Sequence, residues 1–257
     1  MTNEREESSG RRFSGEDRST IRLAAVVLPL GVVLPLLATA IHPHREDVMD
    51  NPAAFTEYAH AGEWFAVHFA QWGAALLLFA GLLGVYYAVK DGSGLSRGLA
   101  RFGAFATVQA AAGITALQAV DGVALKWAAD NWVDASPGEE AATFAAAEAV
   151  RFIEYGLQSY ANILLGLAVI FLGVATAVGG TYPRWLGGLA IGSGVAWIVH
   201  GVIVTYVGLF DSTPRLVGMA LLVIWGPIMA TFMWRNSGRQ TTGQRPDKAA
   251  TSSTVTV

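Results

Sequence analysis

The chain contains no cysteine. Disulfides, thiolate catalysis and Cys-ligated metals or clusters are therefore excluded. Charge is also scarce. Charged residues make up 14% of the 257 positions, whereas a soluble domain carries about 25%. The net charge is -3 and no dense Lys/Arg tract occurs, so the basic footprint of nucleic-acid binding is missing. No phosphate-binding Walker loop, dinucleotide fingerprint, HExxH helix or GxSxG elbow is present, which removes the common soluble-enzyme signatures.

What the chain does have is apolar length. Hydrophobic residues reach 53% and gather in runs long enough to cross a bilayer as helices. The expected spans are 23–41, a segment from about 53 to 89, 102–120, 155–178, 185–209 and 216–234. The fold class is therefore all-α, a polytopic membrane bundle of six helices over 21–234. Residues 1–20 and 235–257 are polar and read as disordered cytoplasmic tails. Pro29 and Pro35 lie inside the first span, where neighbouring helices satisfy the freed carbonyls. Ala38-Thr39-Ala40 has the small residues of a signal-peptide cleavage site, but the acidic tail before the run argues against cleavage.

Lys and Arg set the orientation. Five precede the first span, three lie in 90–101, Arg184 follows the fourth span, and four lie in the C-terminal tail. The opposite side has only Arg45, Lys126, Arg151 and Arg215, together with most of the acidic residues. The positive-inside rule puts both termini in the cytoplasm and makes this a multi-pass cell-membrane protein.

The second span is expected to begin at Asn51-Pro52 and run unbroken into the membrane. Glu57, His60, Trp64, His68 and Gln71 then share one face at helical spacing. The third span is expected to end near Asp121-Gly122, with Thr107, Thr115 and Gln118 close to one face and Gln109 opposite. Arg151, Glu154, Gln158 and Asn162 form a polar stripe that enters the fourth span, and Ala141–Val150 reads as that helix's first turns. Ser193 and His200 share a face of the fifth span. Trp127, Trp132, Trp185 and Trp234 fit an interfacial belt. Gly188 and Gly192 stand four apart, the spacing of close helix packing.

His68, Gln71, Gln118, Asp121, Glu154, Gln158, Asn162 and His200 belong to the outer leaflet half. Ionisable groups in lipid are costly, so they face the bundle and often mark function. The expected site lies between the second, third, fourth and fifth spans, with His68, Glu154 and His200 innermost. Gln71, Gln118, Asp121, Gln158 and Asn162 surround them.

Several readings fit this set. Two His at similar depth suit haem, with His68 and His200 as axial ligands. A divalent metal on His68, His200 and Glu154 fits as well. Acid–base chemistry on a small lipophilic ligand would use Glu154 or Asp121 beside a histidine, with Trp64, Trp72, Tyr155, Tyr160 and Trp197 lining a pocket. Transport or proton relay would need a polar path through the inner halves, and these are nearly bare of ionisable groups. The rival class is a non-catalytic scaffold, as a homo-oligomer or beside a membrane partner, whose polar residues only fix helix register. On that view Arg151 and Glu154 are an ordinary surface pair, His42 and His44 are loop residues, and Asp211 with Arg215 marks a turn.

Overall fold

The computed structural model describes residues 15–43, 46–92, 94–209 and 212–238. Among these residues eight α-helices build the fold: α1 Gly15–Ala40, α2 Asn51–His60, α3 Trp64–Val89, α4 Gly94–Ala119, α5 Lys126–Val133, α6 Glu140–Val178, α7 Arg184–Val207 and α8 Thr213–Gly238. Six stretches of the described residues are long and apolar enough to cross a membrane: α1, α3, α4 through α5, α6, α7 and α8. The protein is a polytopic helical membrane bundle. His44, Arg45 and Asp211, named above from the sequence, lie outside the described residues, as do 1–14 and 239–257.

The six spans close into a ring. Going round it, α1 packs on α3, α3 on α4, α4 on α6, α6 on α7, α7 on α8 and α8 on α1; α3 also touches α6 across the ring. The inner half is filled by Leu28, Leu82, Leu172, Trp225 and Met229, all buried. At the cytoplasmic end the Lys90 ammonium meets Asp17 at 2.7 Å, tying α3 to the start of α1.

Small residues let α6 and α7 run backbone to backbone. A Cβ at Gly166 would stand 2.5 Å from the Gly194 carbonyl oxygen, and one at Gly194 equally close to that of Gly166. One heptad to either side, Gly173 meets Gly187 and Ser159 meets Gly201. The seam is thus Ser159, Gly166 and Gly173 against Gly187, Gly194 and Gly201. Gly188, singled out by its spacing, faces open space, and Gly192 reaches only the end of Leu221. The expectation of tight packing holds for α7 on other glycines.

Three boundaries differ from expectation in ways that matter. The second span is broken. Asp50 caps α2 by accepting the Ala53 N–H at 3.2 Å, with Pro52 in the first turn. That helix then stops at His60, where Ala61 is extended and Gly62 follows. The break destroys the common face drawn through Glu57, His60, Trp64, His68 and Gln71. The third span does not end at Asp121-Gly122. It passes through a π-helical turn, Val120–Leu125, straight into α5. The first span starts at Gly15, inside the stretch read as a tail.

The fourth span does include Ala141–Val150, giving a helix of 39 residues. At 1.5 Å per residue it extends about 58 Å, far more than a hydrocarbon core of about 30 Å. The surplus stands outside the bilayer. There α2, α5 and the first turns of α6 form a cap around Phe55, Tyr58, Trp64, Leu125, Ala129 and Ala147. Trp132 packs in this cap against Phe55 and Phe144 and is not a lipid anchor. The Lys126 ammonium donates to the Ala59 carbonyl at 3.0 Å, holding α5 on the last turn of α2. Trp127, Trp185 and Trp234 remain exposed, as an interfacial belt requires.

Candidate functional site

Beneath the cap, α3, the π-turn and α6 bring His68, Asp121, Arg151 and Glu154 together. His68 is buried one turn inside α3. Its Nδ1 lies 2.8 Å from the Trp64 carbonyl. A carbonyl only accepts, so Nδ1 carries a proton. Nε2 is left facing two partners, Oδ2 of Asp121 at 3.2 Å and Nε2 of His42 at 3.3 Å. A neutral His68 accepts from the His42 N–H, and a protonated one donates to Asp121. The two arrangements differ by one proton, which His68 takes up at Nε2. The Trp64 indole stacks beside the ring, centroids 4.3 Å apart, which fixes its plane.

The π-turn presents Asp121. One extra residue per turn re-aims the helix face, so Asp121 turns to His68 while Gly122 slides under the ring. A Cβ at Gly122 would meet His68 Cβ at 2.7 Å, so glycine makes this approach.

Arg151 and Glu154 are 1% and 3% exposed. Their salt bridge, Nη1 to Oε2, measures 2.8 Å. Arg151 Nη2 donates to the Val48 carbonyl and to the Tyr58 hydroxyl, both at 2.9 Å. The rings of Tyr58 and Tyr155 flank the guanidinium at 5.3 and 5.6 Å. The pair is therefore a buried junction of α6, α2 and the loop before α2, not the surface pair the scaffold reading supposed. Burial lifts the Tyr58 phenol from 10.0 to about 12, against the pull of Arg151. Asp121 is near enough to Glu154 for their charges to interact. With Arg151 charged and both carboxylates ionised, the cluster is neutral only when His68 holds a second proton; otherwise one carboxyl must hold it.

A second layer lies one turn deeper. Gly103 faces Leu172 and Gly113 faces Ala161 across α4 and α6, a register that puts Gln118 level with Gln158. Gln158 donates to Asn162 at 3.1 Å. Gln118 Oε1 and Asn162 Nδ2 are buried with no partner among the described residues. Gln71 is half-buried at the same level on α3.

His200 departs from the expected site. It is buried, but α7 packs against α6 and α8, and its Nδ1 pairs with the Ser212 hydroxyl at 2.9 Å. Ser193 shares that face, as expected, and bonds the Gly218 carbonyl of α8 at 2.7 Å. Among the described residues no group of three His, Asp or Glu side chains could hold a metal ion. The metal set of His68, His200 and Glu154 is thus not assembled. Tyr160 is 70% exposed and does not line a pocket, and Gln109 is exposed too. His42, read as a loop residue, is the group that was missed. Its position just past the end of the first span was the available signal.

A cleft of about 200 Å³ lies between α3 and the end of α4, lined by Phe65, His68, Phe69, Trp72, Gln118 and Val123 among others. Every buried charged or histidine side chain among the described residues, namely His68, Lys126, Arg151, Glu154 and His200, belongs to the outer half or the cap. No family model matches the chain, and no curated protein or solved structure matches it either.

Proposed function

We propose that the outer cluster is the acid–base centre of a membrane enzyme acting on a small lipophilic ligand. His68 exchanges the proton, Asp121 holds the ring and balances its charge, and His42 links it to the outer face. The observation that carries this reading is the chain of proton-bearing atoms, His42 Nε2, His68 Nε2 and Asp121 Oδ2, with successive steps of 3.3 and 3.2 Å. A histidine with one nitrogen fixed by a carbonyl and the other beside a carboxylate is arranged for general acid–base work. The apolar cleft against the His68 ring is the natural place for the ligand.

This reading has more support than its rivals. Metal or haem ligation by His68 and His200 gains nothing from a geometry that turns His200 toward α8. Transport gains nothing from an inner half packed with Leu82, Leu172, Trp225 and Met229. A scaffold has no need for a histidine poised between a second histidine and an aspartate.

An octyl-substituted nitrophenol, coloured only when ionised, tests the proposal on protein in lipid nanodiscs. At a pH where the probe alone is neutral, binding to the protein should raise the phenolate band. Asp121→Asn and His68→Gln should abolish that rise. A bound probe that stays neutral, or a band unchanged in both variants, overturns the proposal.

A further inference from the structure

The cleft between α3 and α4 carries one polar feature that none of the readings above uses. Its walls are Phe65, Phe69, Trp72 and Val123, with Thr115, Gln118 and His68 supplying the polar atoms. Phe69 is 63% exposed and Val123 is 39% exposed, so in a bilayer the cleft opens sideways into lipid at outer-leaflet depth. The polar atoms are mostly spoken for. Trp72 Nε1 donates to Thr115 Oγ1 at 3.2 Å, and that hydroxyl donates to the Ala111 carbonyl at 2.9 Å. Both His68 nitrogens are engaged. What remains is Gln118, which lines the cleft and whose Oε1 lies beneath the cleft wall with no partner among the described residues, so that a ligand meets it when the amide turns outward. An orphaned buried acceptor is costly, and a ligand that satisfies it gains specificity as well as affinity.

We infer that the cleft takes, directly from the outer leaflet, a single-tailed amphiphile whose head is a hydroxyl group, and that Gln118 is the specificity-determining residue. This inference rests on the lipophilic-ligand reading above and names the class of that ligand. A hydroxyl donates its proton to Gln118 Oε1, the partner that this acceptor lacks. An ester or ether accepts only and leaves Oε1 orphaned. A charged head is disfavoured because the walls are almost wholly apolar. The space is too small for a helix, which is about 10–12 Å across, so the occupant is a small molecule.

Para-nonylphenol and its methyl ether, para-nonylanisole, share a tail and differ in the donor. Their equilibrium binding to protein-loaded nanodiscs, corrected with empty nanodiscs, tests the inference. The phenol should bind about tenfold more tightly than the ether, the discrimination expected of one hydrogen bond to a buried group. Gln118→Leu should erase the difference while the protein keeps its helical signal and melting temperature. Ala119→Phe, whose exposed position lines the cleft, should fill the space and abolish binding of both compounds without touching Gln118. Equal binding of phenol and ether to the unaltered protein overturns the inference and shows tail partitioning only. So does undiminished binding in Ala119→Phe. A nitrophenol that binds yet stays neutral defeats the proton-transfer reading alone, whereas an ether that matches the phenol defeats this one alone.

Discussion

Replacing Arg151 with methionine probes the most deeply buried charges in the protein. The change removes a guanidinium that is 1% exposed and leaves Glu154, 3% exposed, without its cation. It also strips the Val48 carbonyl and the Tyr58 hydroxyl of their donor. Stripping one partner from a buried pair costs about 3–5 kcal/mol, because the remaining charge stays desolvated. Glu154→Gln should cost a comparable amount by orphaning Arg151. The double variant should cost no more than either single, so that most of the summed cost reappears as coupling between the two sites, since a well-packed neutral pair is often no worse than a buried ionic one. Unfolding in mixed micelles, followed by circular dichroism, measures all three. The first structure lost should be the cap, because Arg151 ties α6 to α2 and to the loop before it. Single costs below about 1 kcal/mol that simply add would mean the pair is solvated like a surface bridge, and the buried junction would be refuted.

Further expectations follow from particular contacts. Gly194→Leu drives a side chain into the Gly166 carbonyl and should cost about 1–3 kcal/mol as overpacking, whereas Gly188→Leu faces open space and should melt within a degree or two of the parent. Tyr58 should be the last tyrosine of the cap to ionise: the difference between ultraviolet pH titrations of the parent and Tyr58→Phe should have its midpoint near 12 rather than 10.0. Because the folded value exceeds the unfolded one, its contribution is complete below 10.0 and disappears as pH rises toward about 12, by roughly 2.7 kcal/mol at most. Cap unfolding should therefore steepen with alkali in the parent and less in Tyr58→Phe. Gly122→Val should push the π-turn off the His68 ring and weaken probe ionisation while leaving the α6–α7 seam, and hence most of the unfolding transition, in place.

The spans were legible because lipid demands length and apolarity, and Leu23–Ile41 or Leu216–Trp234 show both without help from neighbours. Depth was legible too. His68, Asp121 and Glu154 share one level of the bundle and Gln118 stands level with Gln158 one turn deeper, since a polar residue's distance from the end of its span can be counted. Which way each residue turns was not legible, because the order of helices around the ring is set by packing between distant segments. His200 has the right depth, yet α7 stands between α6 and α8, so its ring turns to Ser212. The π-turn at Val120–Leu125 was invisible for a related reason: apolar periodicity cannot register one inserted residue in so short a stretch. His42 was discounted as a loop residue, because nothing local shows that the chain folds back over α3. The glycine seam was readable as heptads, Ser159-Gly166-Gly173 and Gly187-Gly194-Gly201, but a search for glycines four apart finds Gly188 and Gly192 instead.

The central claim is that one proton moves among His42, His68 and Asp121. Side-chain nitrogen NMR of histidine-labelled protein in nanodiscs, recorded across pH for the parent, Asp121→Asn and His42→Gln, tests it most directly. We expect His68 to keep a protonated Nδ1 throughout, with an Nε2 signal that reports exchange in the parent and shifts in both variants. A single static Nε2 signal, the same in all three proteins, would contradict the acid–base centre.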